Sequence, residues 1–261
     1  MSKKLNDRFN DGNSRQRIAR ELEDAQRIQL KFAPQAIPVV EGINLATRSI
    51  TASEIGGDYL DVFVSGSQCL VLAIGDVMGK GVPAALLMAM AHVAVRAVLL
   101  SEFVSPELVL EKVNKILYDY LQQANSFITM LLAMYNEKTK QLVFARAGHN
   151  LPLLFRAAAQ ECEFLSSKGA YLGGKARQNF EKEAICLEQG DVLILYTDGL
   201  IEAVNAQGER YGKHRLIEVL KDSAGMDAAS IEEFIRFDLA AFTGSTPQKD
   251  DITLIILKME K

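Results

Sequence analysis

Short apolar runs alternate with polar turn segments along most of the chain. Runs of this length, bounded by Gly, Asn, Asp and Ser, are typical of β-strands. Several neighbouring runs are joined by short turns such as 136–139 and 188–191, which favours hairpins and a mainly antiparallel sheet. The predicted strands are 43–50, 58–64, 69–74, 127–135, 141–147, 153–156, 162–165, 180–187, 192–196 and 252–259.

Four longer segments have apolar residues three or four positions apart, the spacing of one helix face. They are 82–100, 106–123, 215–222 and 229–243. The helices come in pairs between groups of strands, so the strand–helix alternation of a doubly wound parallel sheet is missing. The pattern therefore predicts an α+β layered domain.

The segment 82–100 is nearly all Ala, Val, Leu and Met and is long enough to cross a bilayer. It also contains His92 and Arg96 and directly follows the polar positions Asp76 and Lys80. Its many alanines suit close packing against another helix or a sheet. We interpret it as a buried core helix and predict no membrane association.

The N-terminal region differs from the rest of the chain. Residues 1–13 are polar and are predicted to be a disordered tail. Residues 14–33 are predicted to form an amphipathic linker or regulatory helix that Pro34 ends. Its apolar stripe either packs on the same chain or pairs with a second copy in a homodimer, and it comprises Ile18, Leu22, Ala25, Ile28 and Phe32. A single domain is predicted over 38–261.

Composition narrows the class of protein. The 261 residues are 49% hydrophobic, which suits one large domain with a sizeable core. A net charge of −4 and the lack of a basic stripe exclude nucleic acid as the expected partner. The cysteines at 69, 162 and 186 show no CxxC spacing and the N-terminus no signal peptide, which predicts reduced, buried thiols in a cytoplasmic protein.

The stretch 74–81 is the most informative local pattern. An apolar strand is predicted to stop at Gly75 and to present Asp76 at its end, before a loop with Gly79 and Gly81. Glycines allow tight turns and close approach of the backbone to a ligand. Because the group presented is a carboxylate, the expected ligand is a metal cation.

Three further aspartates lie at strand ends: Asp58, Asp198 and Asp250. A single Asp beside Gly is more often simple turn chemistry. Four such ends in one sheet system are expected to converge, and clustered carboxylates repel one another unless cations neutralise them. Oxygen ligands favour Mg²⁺ or Mn²⁺ over zinc, and no two of the three histidines are spaced for a shared metal.

Five short motifs occur in a fixed order: IGGDYLD at 55–61, GDVMGKG at 75–81, AGHN at 147–150, YTDG at 196–199 and DDIT at 250–253. Together they resemble the bacterial branch of the metal-dependent PPM-type (protein phosphatase 2C-like) serine phosphatases, the SpoIIE/RsbU-like group. The resemblance covers about residue 38 to the C-terminus. It implies two stacked, mainly antiparallel β-sheets flanked by helices on both faces.

The resemblance also implies a site and an activity. Two Mn²⁺ or Mg²⁺ ions would activate a water that hydrolyses phosphoserine or phosphothreonine. The implied substrate is a phosphorylated signalling protein, an anti-sigma-factor antagonist or similar domain. The implied catalytic and metal-binding groups are Asp58, Asp76 (bridging both ions), the backbone carbonyl of Val77, Asp198 and Asp250.

Lys80, Asp251 and His149 lie in these motifs, and the resemblance assigns none of them to the metals. Lys80 departs from the more usual His or Asn, and we expect it to touch the periphery of the loop and not the metals. Asp251 aligns with an Asn of eukaryotic relatives. His149 either donates a proton to the leaving oxygen or pins the turn at 147–152, and we favour the structural role. No arginine matches the one that grips substrate phosphate in eukaryotic members.

Two rival functions remain at this point. A binding module of the same fold, acting in partner switching without turnover, predicts loss of ligand acids, yet all four are present. A two-metal nuclease is disfavoured by the acidic pI of about 5.5.

Overall fold

The computed structural model describes residues 2–65, 69–101 and 105–260, with side chains from residue 15 onward. This part of the chain forms six helices and ten strands. The helices are α1 (Ser2–Gln29), α2 (Gly81–Ser101), α3 (Pro106–Gln123), α4 (Asp198–Glu202), α5 (Gly212–Ser223) and α6 (Ala228–Thr243). The strands are β1 (Ile43–Ile50), β2 (Tyr59–Ser65), β3 (Cys69–Val77), β4 (Ile128–Asn136), β5 (Gln141–Ala147), β6 (Leu153–Arg156), β7 (Glu161–Phe164), β8 (Lys182–Cys186), β9 (Val192–Tyr196) and β10 (Ile252–Met259).

The strands form two five-stranded sheets with antiparallel pairing throughout. The first sheet has the order β1-β10-β9-β6-β7 and the second the order β2-β3-β4-β5-β8. Helices α2 and α3 pack on the second sheet, and α4, α5 and α6 pack on the first. A third apolar cluster lies between the sheets. The predicted α+β sandwich of two stacked antiparallel sheets flanked by helices is therefore confirmed.

Strand β3 shows how the sequence builds these layers. Its side chains alternate between faces, as in any strand. Cys69, Val71 and Ala73 face the helices, whereas Leu70, Leu72 and Ile74 face the other sheet. Both faces are buried, so residues 69–74 of β3 are a continuous apolar run with no polar alternation.

Helix α2 is, among the described residues, the one helix long and apolar enough by length and composition to cross a membrane. Its inner face is buried against the second sheet and α3 through Ala84, Met88, Ala91 and Val95, among others. Leu86 and Val93 face outward and are exposed. The inner face packs as predicted for a core helix.

Helix α1 differs from the prediction at both ends. The structure has helix from Ser2, where residues 1–13 were predicted to be disordered, because adding turns to an existing helix costs far less than nucleating one. The helix ends at Gln29, before Pro34. There the backbone tightens, with Lys31 N–H donating to the Ile28 carbonyl and Phe32 N–H to that of Gln29.

The cysteines are free thiols, as predicted, but not all are buried. Cys69 is buried in β3 and Cys162 is half-buried. Cys186 is exposed, because it lies on β8, the edge strand of the second sheet.

Candidate metal centre

The four aspartates predicted for the site come from two pairs of neighbouring strands. Asp58 directly precedes β2, and Asp76 lies near the end of β3, its partner. Asp198 directly follows Thr197 at the end of β9, and Asp250 lies just before β10, the partner of β9. Each sheet therefore contributes two acids at the end of two paired strands.

A hydrogen bond joins the two sheets here. The Thr197 hydroxyl donates to Asp58 Oδ2 at 2.9 Å. The same hydroxyl accepts from the N–H of Thr253 in β10, also at 2.9 Å. Sequence reasoning gave Thr197 no role, although it lies in one of the five motifs, because a hydroxyl beside a strand end has no distinctive spacing.

The local structure around Asp76 differs from the prediction. Strand β3 does not stop at Gly75 but continues to Val77, with Asp76 paired with Thr129 and Val77 with Ile128. Asp76 is therefore held by a strand and not by a flexible loop. A Cβ on Gly57 would lie 3.1 Å from the Val77 carbonyl oxygen, so this carbonyl faces the segment that carries Asp58.

Burial and mutual repulsion raise the pKa values of three of these acids, Asp58, Asp76 and Asp198. Burial, then the charges of Asp198, Asp250 and Asp251, raises the pKa of Asp76 to about 7. Burial is also the largest cause that raises the pKa of Asp58 well above its usual range, with Asp76 adding to it. The pKa of Asp198 is raised by burial and by Asp250. The acids thus act on one another across the gap between the sheets.

Lys80 contacts the site more directly than predicted. Its Nζ lies 3.0 Å from Asp250 Oδ2 and donates to the Lys249 carbonyl. Lys80 thus contacts a predicted metal-binding acid, and the expectation that it does not touch the metals themselves stays a prediction. The glycines on either side of Lys80 both have positive φ, 107° at Gly79 and 67° at Gly81, and this turn directs the lysine toward the β10 end.

His149 is buried, with an exposure of 3%, and lines a cavity of about 260 Å³ together with Asp76 and Asp198. Its Nδ1 lies 2.9 Å from Thr129 Oγ1, and its carbonyl accepts from Arg146 Nη1 at 2.7 Å. Burial, then the charge of Arg146, lowers the pKa of His149 to about 3. A ring that is neutral at pH 7 and hydrogen-bonded at Nδ1 fits the structural role, whereas its buried Nε2 has no hydrogen-bond partner among the described residues.

The donor set of this site fits divalent cations by its chemistry. Within the described ranges, no three Asp, Glu, His or Cys side chains form a ready-made metal-binding group. Mg²⁺ keeps several waters and often uses only one or two carboxylates, so it needs no closed protein cage. Three acids with raised pKa values beside Asp250 are an all-oxygen set that a hard cation would stabilise, and the residues fit such ions.

Comparisons with known proteins identify the class. The fold is that of the SiaA-PP2C domain of Pseudomonas aeruginosa, with a TM-score of 0.82, 22% identity, and coverage of 95% of this chain and 99% of that one. The structure of RsbX in complex with magnesium matches with a TM-score of 0.63 and 21% identity, covering 86% of this chain and 99% of that one. These likenesses show that the protein has the PP2C-type fold.

The family follows from the sequence. Residues 66–260 match the model of Stage II sporulation protein E (SpoIIE). Phosphoserine phosphatase RsbU of Bacillus subtilis is 31% identical over 247 residues, which are 93% of this chain and 71% of that protein. The chain belongs to the SpoIIE family, as its motifs indicated, and is a phosphatase, a hydrolase. It spans only 41% and 58% of two further curated relatives.

Proposed function

We propose that this protein is a metal-dependent serine/threonine phosphatase that hydrolyses phosphoserine or phosphothreonine on a signalling protein. One observation carries the proposal: acids from both sheets meet at one end of the sandwich, and they raise one another's pKa values. Such a cluster is most stable with cations among it. The magnesium found with RsbX and the name of RsbU as a phosphoserine phosphatase support the same chemistry.

Two ions, Mg²⁺ or Mn²⁺, would be held by carboxylates and one carbonyl: Asp58, Asp76, Val77, Asp198 and Asp250. When bound, such ions supply a water of lowered pKa and positive charge for the phosphoryl oxygens.

The chain's own residues prepare this site. Thr197 orients Asp58, and the β3–β4 pairing fixes Asp76. Lys80 offsets the charge of Asp250. The ring of His149 lines the same cavity as Asp76.

Membership of the family supports a proposal for the substrate and partners. We infer that the substrate is an anti-sigma-factor antagonist-like protein, that the protein works in the cytoplasm, and that neither nucleic acid nor a membrane is a partner. Residues 14–33 serve as a linker or regulatory helix for a catalytic domain over 38–261. Ile18 and Ile28 of this helix are 54% and 58% exposed, which favours a homodimer through α1.

Phosphate release from a phosphoserine protein tests the proposal. We expect turnover in millimolar Mn²⁺ and none in excess chelator. A wild-type protein that binds Mn²⁺ but releases no phosphate from any phosphoserine or phosphothreonine protein would overturn the proposal in favour of a silent binding module.

A further inference from the structure

Asp251 makes a pair of contacts that its neighbour Asp250 does not make. Its Oδ1 accepts from the N–H of Ala52, and its Oδ2 accepts from the N–H of Gly57, each at 2.8 Å. Both donors lie in the segment 51–57, which joins β1 to β2 and ends directly before Asp58. One carboxylate therefore holds both ends of this segment.

The surrounding backbone leaves little room for any other arrangement. A Cβ on Gly56 would lie 2.2 Å from Asp251 Oδ2, and a Cβ on Gly199 would lie 1.9 Å from the Asp251 carbonyl oxygen. Neither glycine has a positive φ. These two positions are thus glycine because Asp251 needs the space, and not because the backbone conformation requires it.

The two adjacent acids face different partners. Asp250 Oδ2 faces Lys80, as described above. Asp251 faces the segment 51–57, and a carboxylate that accepts two backbone N–H groups is strongly oriented. Gln29 of α1 holds the same segment from the other side, since its side-chain amide bonds both the N–H and the carbonyl of Gly56.

We propose that Asp251 is a positioning residue that clamps the segment 51–57 and thereby places Asp58 in the metal centre. The effect of the clamp on catalysis rests on the proposed function, whereas the clamp itself does not. It separates the roles of the two adjacent aspartates in the last motif: Asp250 serves the metal centre, and Asp251 serves the backbone that carries another ligand.

Asp251→Asn tests the clamp. An amide has only one acceptor oxygen, so one of the two N–H groups must face an NH₂ group and loses its bond. Asp222→Asn, at an exposed position on α5, is the matched control. The readout is amide hydrogen exchange in chelator, which requires neither metal nor activity.

We expect the exchange of Ala52 or Gly57 to speed up by at least about 10-fold in Asp251→Asn, and not in the control. The Mn²⁺ affinity should fall about 10–100-fold, as for other groups that orient metal ligands. Unchanged exchange at both amides would overturn the clamp, even if activity were lost. A wild-type protein without phosphatase activity would contradict the proposed function alone.

Gly56→Ala provides a second route, should Asp251→Asn fail to fold. It keeps the carboxylate but places a methyl group where Asp251 Oδ2 lies. We expect the same faster exchange at Gly57. Gly208→Ala is not a suitable control because its φ is positive, whereas Gly225→Ala has open space and should leave the exchange at Gly57 unchanged.

Discussion

The Thr197 hydroxyl donates to Asp58 Oδ2 at 2.9 Å. This bond links an acid directly before β2, in one sheet, to the residue directly after β9, in the other sheet. Thr197 is fully buried and is itself fixed by the Thr253 N–H. The orientation of Asp58 is therefore set by the packing of the two sheets and not by the segment before β2 alone. The geometry of the site therefore depends on hydrogen bonds between the two sheets.

Thr197→Val should weaken metal binding without unfolding the protein. Valine has the same shape but neither donates to Asp58 nor accepts from Thr253, and an unsatisfied buried N–H costs about 1–3 kcal/mol. We expect the Mn²⁺ affinity, measured by calorimetry, to fall about 10–100-fold. Thr197→Ser keeps the hydroxyl and should bind Mn²⁺ nearly as well as wild type. Equal losses in both variants would contradict this role.

Asp76→Asn should abolish turnover while the fold persists. It removes the acid that is proposed to bridge both ions and whose pKa is raised by burial and by the charges of Asp198, Asp250 and Asp251. We expect kcat to fall by at least about 100-fold, more than for an orienting group, with an unchanged circular dichroism spectrum. Wild-type activity in this variant would sink the assignment of the bridge.

The contribution of Asp76 to the stability of the metal-free protein should be lost as the pH rises from about 4 to 7. Native Asp76 keeps its proton up to a pKa of about 7, whereas the unfolded chain releases it near 3.8, so the native state binds more protons in this window. His149 has the opposite effect on stability between about pH 3 and 6.5. Its pKa is lowered to about 3 in the native state, so in this window the unfolded state binds more protons and stability rises with pH.

The difference in melting temperature between wild type and Asp76→Asn, followed against pH, isolates the contribution of the Asp76 carboxyl to stability. Melting temperatures in chelator should fall more steeply with pH for wild type than for the variant. Parallel curves would show that Asp76 titrates normally in the fold.

Divalent cations should stabilise the protein. An ion that binds only the native state at about 100 times its Kd adds about 2.7 kcal/mol, or roughly 5–10 °C for a domain of this size. We expect this shift between millimolar Mn²⁺ and chelator, measured by calorimetry. An equal melting temperature in Mn²⁺ and in chelator would contradict the proposed metal centre.

Much of the fold was predictable because its signals are local. Strands β1, β5, β6, β9 and β10 have the predicted bounds, since each is a short apolar run between turn residues. The five motifs identified the family because their order is specific, although each is weak alone. The four acids were found from their positions at strand ends, and their service as metal ligands stays a prediction.

The predictions failed where tertiary contacts determine the local structure. Strand β3 continues through Gly75 because β4 pairs with it as far as Val77, which no pattern in 69–77 indicates. Lys80 turns toward Asp250 because two glycines with positive φ flank it. Thr197 and Asp251 act across more than 130 positions of the chain, a distance at which one sequence carries no pairing signal.

Helix α1 should control the oligomeric state or the activity of the protein. Phe32, just beyond its end, stacks on His92 of α2 with ring centres 5.2 Å apart. Gln29 bonds Gly56 within the segment 51–57, which ends directly before Asp58. Of the other residues of the apolar stripe, Ile18 and Ile28 are exposed, and Leu22 and Ala25 are half-buried. Exposed apolar side chains at helical spacing favour pairing with a second helix.

Replacing Leu22 and Ile28 together with Glu tests this role. We expect a lower mass by light scattering, from dimer to monomer, and altered Mn²⁺-dependent phosphatase activity, because charges on the stripe repel across a helix pair. Val39→Glu is the control, since Val39 is 99% exposed and lies outside α1. If the double variant changes neither mass nor activity and only lowers the melting temperature, α1 is simple packing and the regulatory proposal is wrong.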